Sequence, residues 1–142
     1  MNDALTPPFD TKVAILVRDD LETWQRLNVT AFLASGIAAA NPQLVGSAYA
    51  DADGQAYLPL LGIPVLVFEG AAEHLVAARE RALRRELPVA VYTRDMFRTG
   101  HDAANRAVVQ AVAGSALDLV GLAVHGPKNA VDRILKGAHL HP

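Results

Sequence analysis

The sequence predicts an α/β protein, a three-layer α/β/α sandwich around a mostly parallel, mixed sheet of about four to five strands. Three observations carry that prediction. Short aliphatic runs at 12–18, 63–69, 88–93 and 117–124 recur along the chain, and the first is apolar on both alternating sets, as a strand covered on both faces is. Alanine-rich stretches with a helical repeat separate these runs. Breakers stand at the junctions, at Asn41-Pro42, Gly70 and Gly114-Ser115. Alternation of this kind puts helices on the faces of a sheet.

Residues 1–10, with Pro7-Pro8, hold too little apolar content for an element and read as a flexible, extended or frayed segment. Residues 11–142 remain as one domain. Lys12 to Arg18 is the central strand. Asp19, Asp20 and Glu22 then place carboxylates where a helix begins, with Asp19 and Glu22 at capping-box spacing. That helix ends near Ala40, because Asn41 precedes a proline. Between Ala31 and Ala39 only Ser35 is polar, so the helix needs cover on more than one side. Another helix of the chain or a second subunit would supply it, and the latter makes a homodimer the expected assembly.

Asp51-Ala52-Asp53-Gly54 reads as a turn between short strands at 46–50 and 55–60. A calcium loop is the other reading of this pattern, but the downstream glutamate is missing between Leu61 and Val67. The next strand carries Pro64 at its start, where a lost N–H does least harm. A helix over 71–87 follows, with Arg79, Arg81, Arg84 and Arg85 towards its end and Glu73, Glu80 and Glu86 diluting them into a solvated face. The third strand, 88–93, runs directly into Arg94-Asp95-Met96-Phe97-Arg98-Thr99-Gly100-His101. Ligands of open α/β sheets bind outside carboxyl strand ends, so this polar cluster is the best-placed candidate site. A helix from His101-Asp102 to about Ala113 comes next, then a strand over 117–124. His125-Gly126-Pro127-Lys128 reads as a tight turn into a last helix. The His139 and His141 tail is too short for a metal site, and no metal or cofactor is expected.

Composition narrows the function classes. The 142 residues are 51% hydrophobic and 20% charged, which suits one globular core and excludes a disordered chain. A net charge of -2 offers no positive field for non-specific nucleic-acid binding. The absence of cysteine removes disulfides, thiolate metal sites and cysteine nucleophiles, and makes cytoplasm the default compartment. No apolar run reaches the roughly 18 residues of a membrane span, and the start lacks a signal pattern. There is no Gly-x-Ser-x-Gly elbow, phosphate-binding loop or dinucleotide fingerprint.

Two ends of the chain resemble a known pattern. Lys12-Val-Ala-Ile-Leu-Val-Arg-Asp-Asp-Leu21 with its Ala-rich helix, then Tyr92-Thr-Arg-Asp95-Met-Phe-Arg98-Thr99, Val120-Gly-Leu-Ala-Val-His125-Gly126-Pro127 and the closing Lys136-Gly-Ala-His-Leu, resemble type 2 peptidyl-tRNA hydrolases. The Asp-Ala-Asp-Gly excursion, the Pro-Val-Leu strand and the Gly-Leu-Ala-x-x-Gly-Pro turn are similar to the domain of unknown function 2000 family, which shares that fold without an established activity. The resemblance implies a hydrolase-like scaffold. Asp95, Arg98 and Thr99 match the hydrolase Asp and its Arg-Thr neighbours. Asn28, Phe32 and Ser35 stand where the hydrolases carry lysine, glutamine and histidine, so the cation that would meet a phosphate or oxyanion is gone.

The expected function is therefore binding of a small polar or anionic ligand by Asn28, Asp95, Arg98, Thr99, His101, His125 and Gly126. The alternative is hydrolysis of peptidyl-tRNA or a related ester or amide, with Asp95 as general base on water and a histidine beside it. The missing lysine disfavours tRNA as a partner. Each residue also has a plain structural reading: Asp95 as a turn acid, Arg98 as its ion-pair partner, Thr99 as a helix cap, His101 as a helix-start residue and His125 as a turn residue.

Overall fold

The computed structural model describes residues 5–142. Among these residues seven strands form: β1 (Thr11–Arg18), β2 (Tyr49–Ala50), β3 (Ala56–Tyr57), β4 (Val65–Gly70), β5 (Val89–Thr93), β6 (Leu119–Pro127) and β7 (His139–Leu140). The helices are α1 (Thr23–Ala40), α2 (Ala72–Arg84), α3 (Asp102–Gln110) and α4 (Lys128–Ile134). Five strands make one sheet in the order β5-β6-β1-β4-β7, and β2 and β3 make a separate hairpin.

β1 is the central strand that its sequence predicts, with Val13 to Val17 wholly buried. Val13, Ile15 and Val17 face one core with Val29, Leu33 and Ile37 of α1. Ala14 and Leu16 face the other, with Leu75, Ala78 and Ala82 of α2 and Val131 and Ile134 of α4. Because side chains alternate across a strand, two covered faces require both sets to be apolar. The three layers are thus α1, the sheet, and α2 with α4.

The sheet is mixed, but it is not mostly parallel. Only β1 and β4 pair in parallel, with Val13 opposite Val65, while β6 is antiparallel to both β1 and β5 and β7 is antiparallel to β4. The reason lies after β5. Beyond α3 the chain returns to the strand end it left, where the Arg94 N–H donates to the Asp118 carbonyl at 3.0 Å, so β6 starts where β5 stops. A helix between two strands does not make a parallel crossover unless it carries the chain back to the end where the first strand began.

Several boundaries move for local reasons. α1 begins at Thr23 with Glu22 as its N-cap, and the Glu22 N–H donates to the Gln25 side chain at 3.0 Å, so the box uses Glu22 and Gln25 instead of Asp19 and Glu22. Asn41 ends it, as Pro42 requires. β6 continues through His125, Gly126 and Pro127, which pair with Val13, Lys12 and Thr11, so the expected tight turn is strand. Gly137, at φ 98°, turns the chain into β7, the fifth strand of the sheet. The Asp51 turn is a hairpin turn: its carboxylate accepts from the Asp53 and Gln55 N–H groups at 2.9 and 3.0 Å and from the Tyr57 hydroxyl at 2.7 Å.

Of the segment expected to be flexible, residues 1–4 lie outside the described residues. In the remainder Leu5 and Phe9 pack against the α1-side core, two apolar anchors that draw the segment onto it. Among the described residues no helix is long and apolar enough to cross a membrane.

Candidate functional site

A groove of about 800 Å³ runs between α1, β5 and α3. Its base and rim are a continuous chain of rings. Trp24 meets Phe97 edge-on with centroids 5.6 Å apart, Phe97 meets Tyr92 at 5.2 Å, and Tyr92 meets Phe32 at 5.9 Å. Tyr92 is buried, whereas Trp24 and Phe32 are 55% and 53% exposed. Local structure explains this placement. Tyr92 points to the α1 side of β5 by strand alternation, and Phe97 is turned back by the short 3-10 helix Arg94–Arg98. Such a ring ladder presents π faces and edges to anything entering the groove.

Polar groups are interleaved with the rings. The Asn28 amide donates to the Tyr92 hydroxyl at 3.3 Å, and burial pushes the Tyr92 phenol up, partly offset by that bond. Tyr92 is therefore a neutral phenol at ordinary pH, and among the described residues its own proton has no acceptor. The Thr99 hydroxyl donates to the Met96 carbonyl at 2.9 Å and lies against the Asn105 side-chain oxygen. His101 is the N-cap of α3, its Nδ1 accepting from the Ala104 N–H at 3.2 Å. Among the described residues Arg106 is the only Lys or Arg lining the groove, and Asp102 one turn earlier holds it as an exposed ion pair.

The structure brings Asn28, Thr99 and His101 together in this groove. It does not bring in the other four expected residues. Asp95 and Arg98 occupy the outer side of the 3-10 helix, exposed, and neither lines the groove or pairs with the other. The short helix that aims Met96 and Phe97 inward necessarily aims these two outward. His125 and Gly126 lie at the opposite end of the sheet, since Val124 pairs with Val89 at the start of β5 whereas Leu119 pairs with Thr93 at its end. There His125 Nε2 meets the Thr11 hydroxyl at 2.9 Å, burial pushes the imidazole down, and Gly126 packs against Leu87.

Sequence reasoning missed Trp24, Tyr92, Phe97 and Asn105 as groove residues. Half of the chain's eight aromatic residues meet here, and that scarcity was the available signal: Trp24 and Phe32 fall on one side of a predicted helix, Tyr92 and Phe97 on one strand end.

A second groove of about 730 Å³ lies on the other flank of α1, beside β4 and the C-terminal residues. Its polar end is closed. Glu69 accepts from Arg26 at 2.8 Å and meets His139 Nε2 at 2.8 Å, while Arg26 also bonds the Asp19 and Leu21 carbonyls and His141. These contacts, His139 first and then the Arg26 charge, hold the Glu69 carboxyl below the usual range. No group of three or more His, Cys, Asp or Glu side chains among the described residues is placed to hold a metal ion.

Fold and groove together define a mixed α/β sandwich that carries an open, ring-lined groove beside its first helix. Within that class the chain belongs to the family described as protein of unknown function DUF2000, whose family model matches residues 11–142. A solved structure titled as a protein of unknown function from Agrobacterium tumefaciens is 44% identical, with a TM-score of 0.92 over 94% of this chain and 99% of that one. No curated protein matches the chain.

Proposed function

We propose that this protein binds a small polar ligand with a flat, unsaturated portion in the α1–β5–α3 groove, as a homodimer on a type 2 peptidyl-tRNA hydrolase-like scaffold. The observation that carries the reading is the ring ladder joined to Asn28 and Tyr92. Rings half open to solvent supply apolar area, and the unused Tyr92 proton and the Asn28 carbonyl supply a donor and an acceptor beside them. An anionic edge would meet the start of α3, where backbone N–H groups and His101 stand. Arg98 is not a groove contact in this reading.

Hydrolysis is the weaker reading. Its carboxylate, Asp95, is outside the groove, and Asn28 replaces the lysine of the hydrolase pattern. A purified sample that releases tRNA from a model peptidyl-tRNA, with Asp95→Asn abolishing release, would reverse this order.

Trp24 is the only tryptophan and sits on the groove's rim, which makes its fluorescence a built-in reporter. Screening ring-bearing polar and anionic metabolites should find compounds that change this emission and raise the melting temperature together. Asn28→Ala should weaken the best of them about fivefold, the effect of one hydrogen bond worth roughly 1 kcal/mol. Emission and melting temperature unmoved across the whole library would sink the proposal.

A further inference from the structure

Among the described residues two apolar surfaces are left uncovered, and both belong to the α1 layer. The first is the outer side of α1. Trp24, Leu27, Ala31 and the partly exposed Ala38 follow one another at steps of three, four and seven, the spacing of a helix–helix seam, while Ala34 at the seam's inner margin packs partly on the core. No charge interrupts it, and Leu27 is 68% exposed. The second is the hairpin arm. Every residue from 47 to 60 is exposed, including Tyr49, Tyr57, Leu58 at 84% and Leu60. A lone two-stranded hairpin is at best marginal in water, so an arm with both faces bare needs support from outside its own chain.

Topology relates the two surfaces. α1 starts beyond the carboxyl end of β1 and runs back to the other edge, where Leu44 joins Ile37 in one core. The arm is rooted there, by the Gly62 N–H to the Leu44 carbonyl at 2.7 Å and the Gly46 N–H to the Leu60 carbonyl at 2.8 Å. If two copies pair their α1 seams antiparallel, each arm root falls beside the start of the other copy's α1. That end carries Trp24, Phe97 and the exposed Arg98.

We propose that two copies of this chain join α1 to α1 about a two-fold axis, each laying its 47–60 arm against the α1 start and Arg98 of the other. A second copy fits better than an unrelated protein because one symmetry operation covers both surfaces at once. Charge agrees. The arm carries Asp51 and Asp53 and no cation, and neither Asp53 nor Arg98 has an ion-pair partner among the described residues. Seam and arm together make roughly twenty residues a side, the extent of a standard stable interface. The inference deepens the homodimer of the proposed function and does not depend on the groove's ligand: a dimer that binds nothing sinks only the ligand reading.

The test is particle mass by light scattering across the micromolar range. The natural chain should give twice its 15.1 kDa, and Leu27→Glu should give single chains with an unchanged circular dichroism spectrum. Asp53→Arg should weaken the dimer about fivefold, and adding Arg98→Asp should restore it, as an exposed charge pair does on reversal. Because the chain lacks cysteine, Ala31→Cys near the axis should oxidise to a covalent dimer even where Leu27→Glu fails to fold. A single-chain mass at every concentration would overturn the inference and leave both surfaces to a different partner. A dimer untouched by Leu27→Glu and the charge reversal, without the Ala31→Cys cross-link, would overturn it equally.

Discussion

Tyr92 holds the groove together at the level of single residues: its ring packs between Phe32 and Phe97, and its hydroxyl takes the Asn28 amide. Asn28 was legible from sequence as a site residue because the hydrolase resemblance sets it where that pattern carries a lysine, on the inward side of a predicted helix. Asp95 and Arg98 were not, since a single 3-10 turn decides which of five neighbouring side chains point inward. His125 shows a different outcome. It sits half-buried against Thr11 with burial lowering its pKa, far from the groove, which makes it a source of pH dependence in folding. The unfolded chain protonates this imidazole near its ordinary value of about 6.5, while the folded chain resists to a lower pH. Stability should therefore fall as pH drops from about 6.5 towards the folded value and rise again with pH. Urea midpoints measured between these limits should slope for the natural protein, and His125→Gln should flatten the slope.

Among the elements, α1 and β6 depend on each other through Gly121. A Cβ there would lie 2.4 Å from Val29 Cγ1 and 2.9 Å from Leu33 Cδ1, both wholly or nearly buried. The helix rests on the strand only because this side chain is missing. Gly121→Ala should cost about 1–3 kcal/mol in a denaturant melt, the price of overpacking a closed contact. An unchanged midpoint would mean that α1 can shift away from the sheet without loss. Most element types were readable, from short aliphatic runs for β1, β4, β5 and β6, alanine-rich repeats for the helices and Asp51 to Gly54 for the hairpin turn, whereas the two-residue β7 was not. Their ends were less so, as β6 shows, where His125-Gly126-Pro127 has turn composition but is held in the sheet by β1.

At the scale of the whole molecule, two charge networks tie the carboxyl edge of the sheet. Arg18 bonds Asp20 at 2.8 Å and Asp118 at 2.9 Å, and Arg94 reaches both carboxylates, linking the ends of β1, β5 and β6. Glu69, with Arg26, His139 and His141, ties β4, α1 and β7. Arg18 holds the Asp20 carboxyl below its ordinary range as His139 and Arg26 hold that of Glu69. A lowered carboxylate pKa stabilises the fold above the unfolded value of about 4, and that contribution is lost as pH falls through the folded value. Acid melts should thus steepen below about pH 4, and Asp20→Asn with Glu69→Gln should make that limb shallower; an identical acid limb in the double variant would remove both networks from the account. The sequence by itself determined the four long strands and the helices, the core of β1 and the family, because those depend on residue type and near-neighbour spacing. Only the tertiary structure decided that β6 runs antiparallel, that β7 completes the sheet, and that rings line the groove while Asp95 and Arg98 face away. Each of these depends on which distant segments meet, and local propensity carries no information about that meeting.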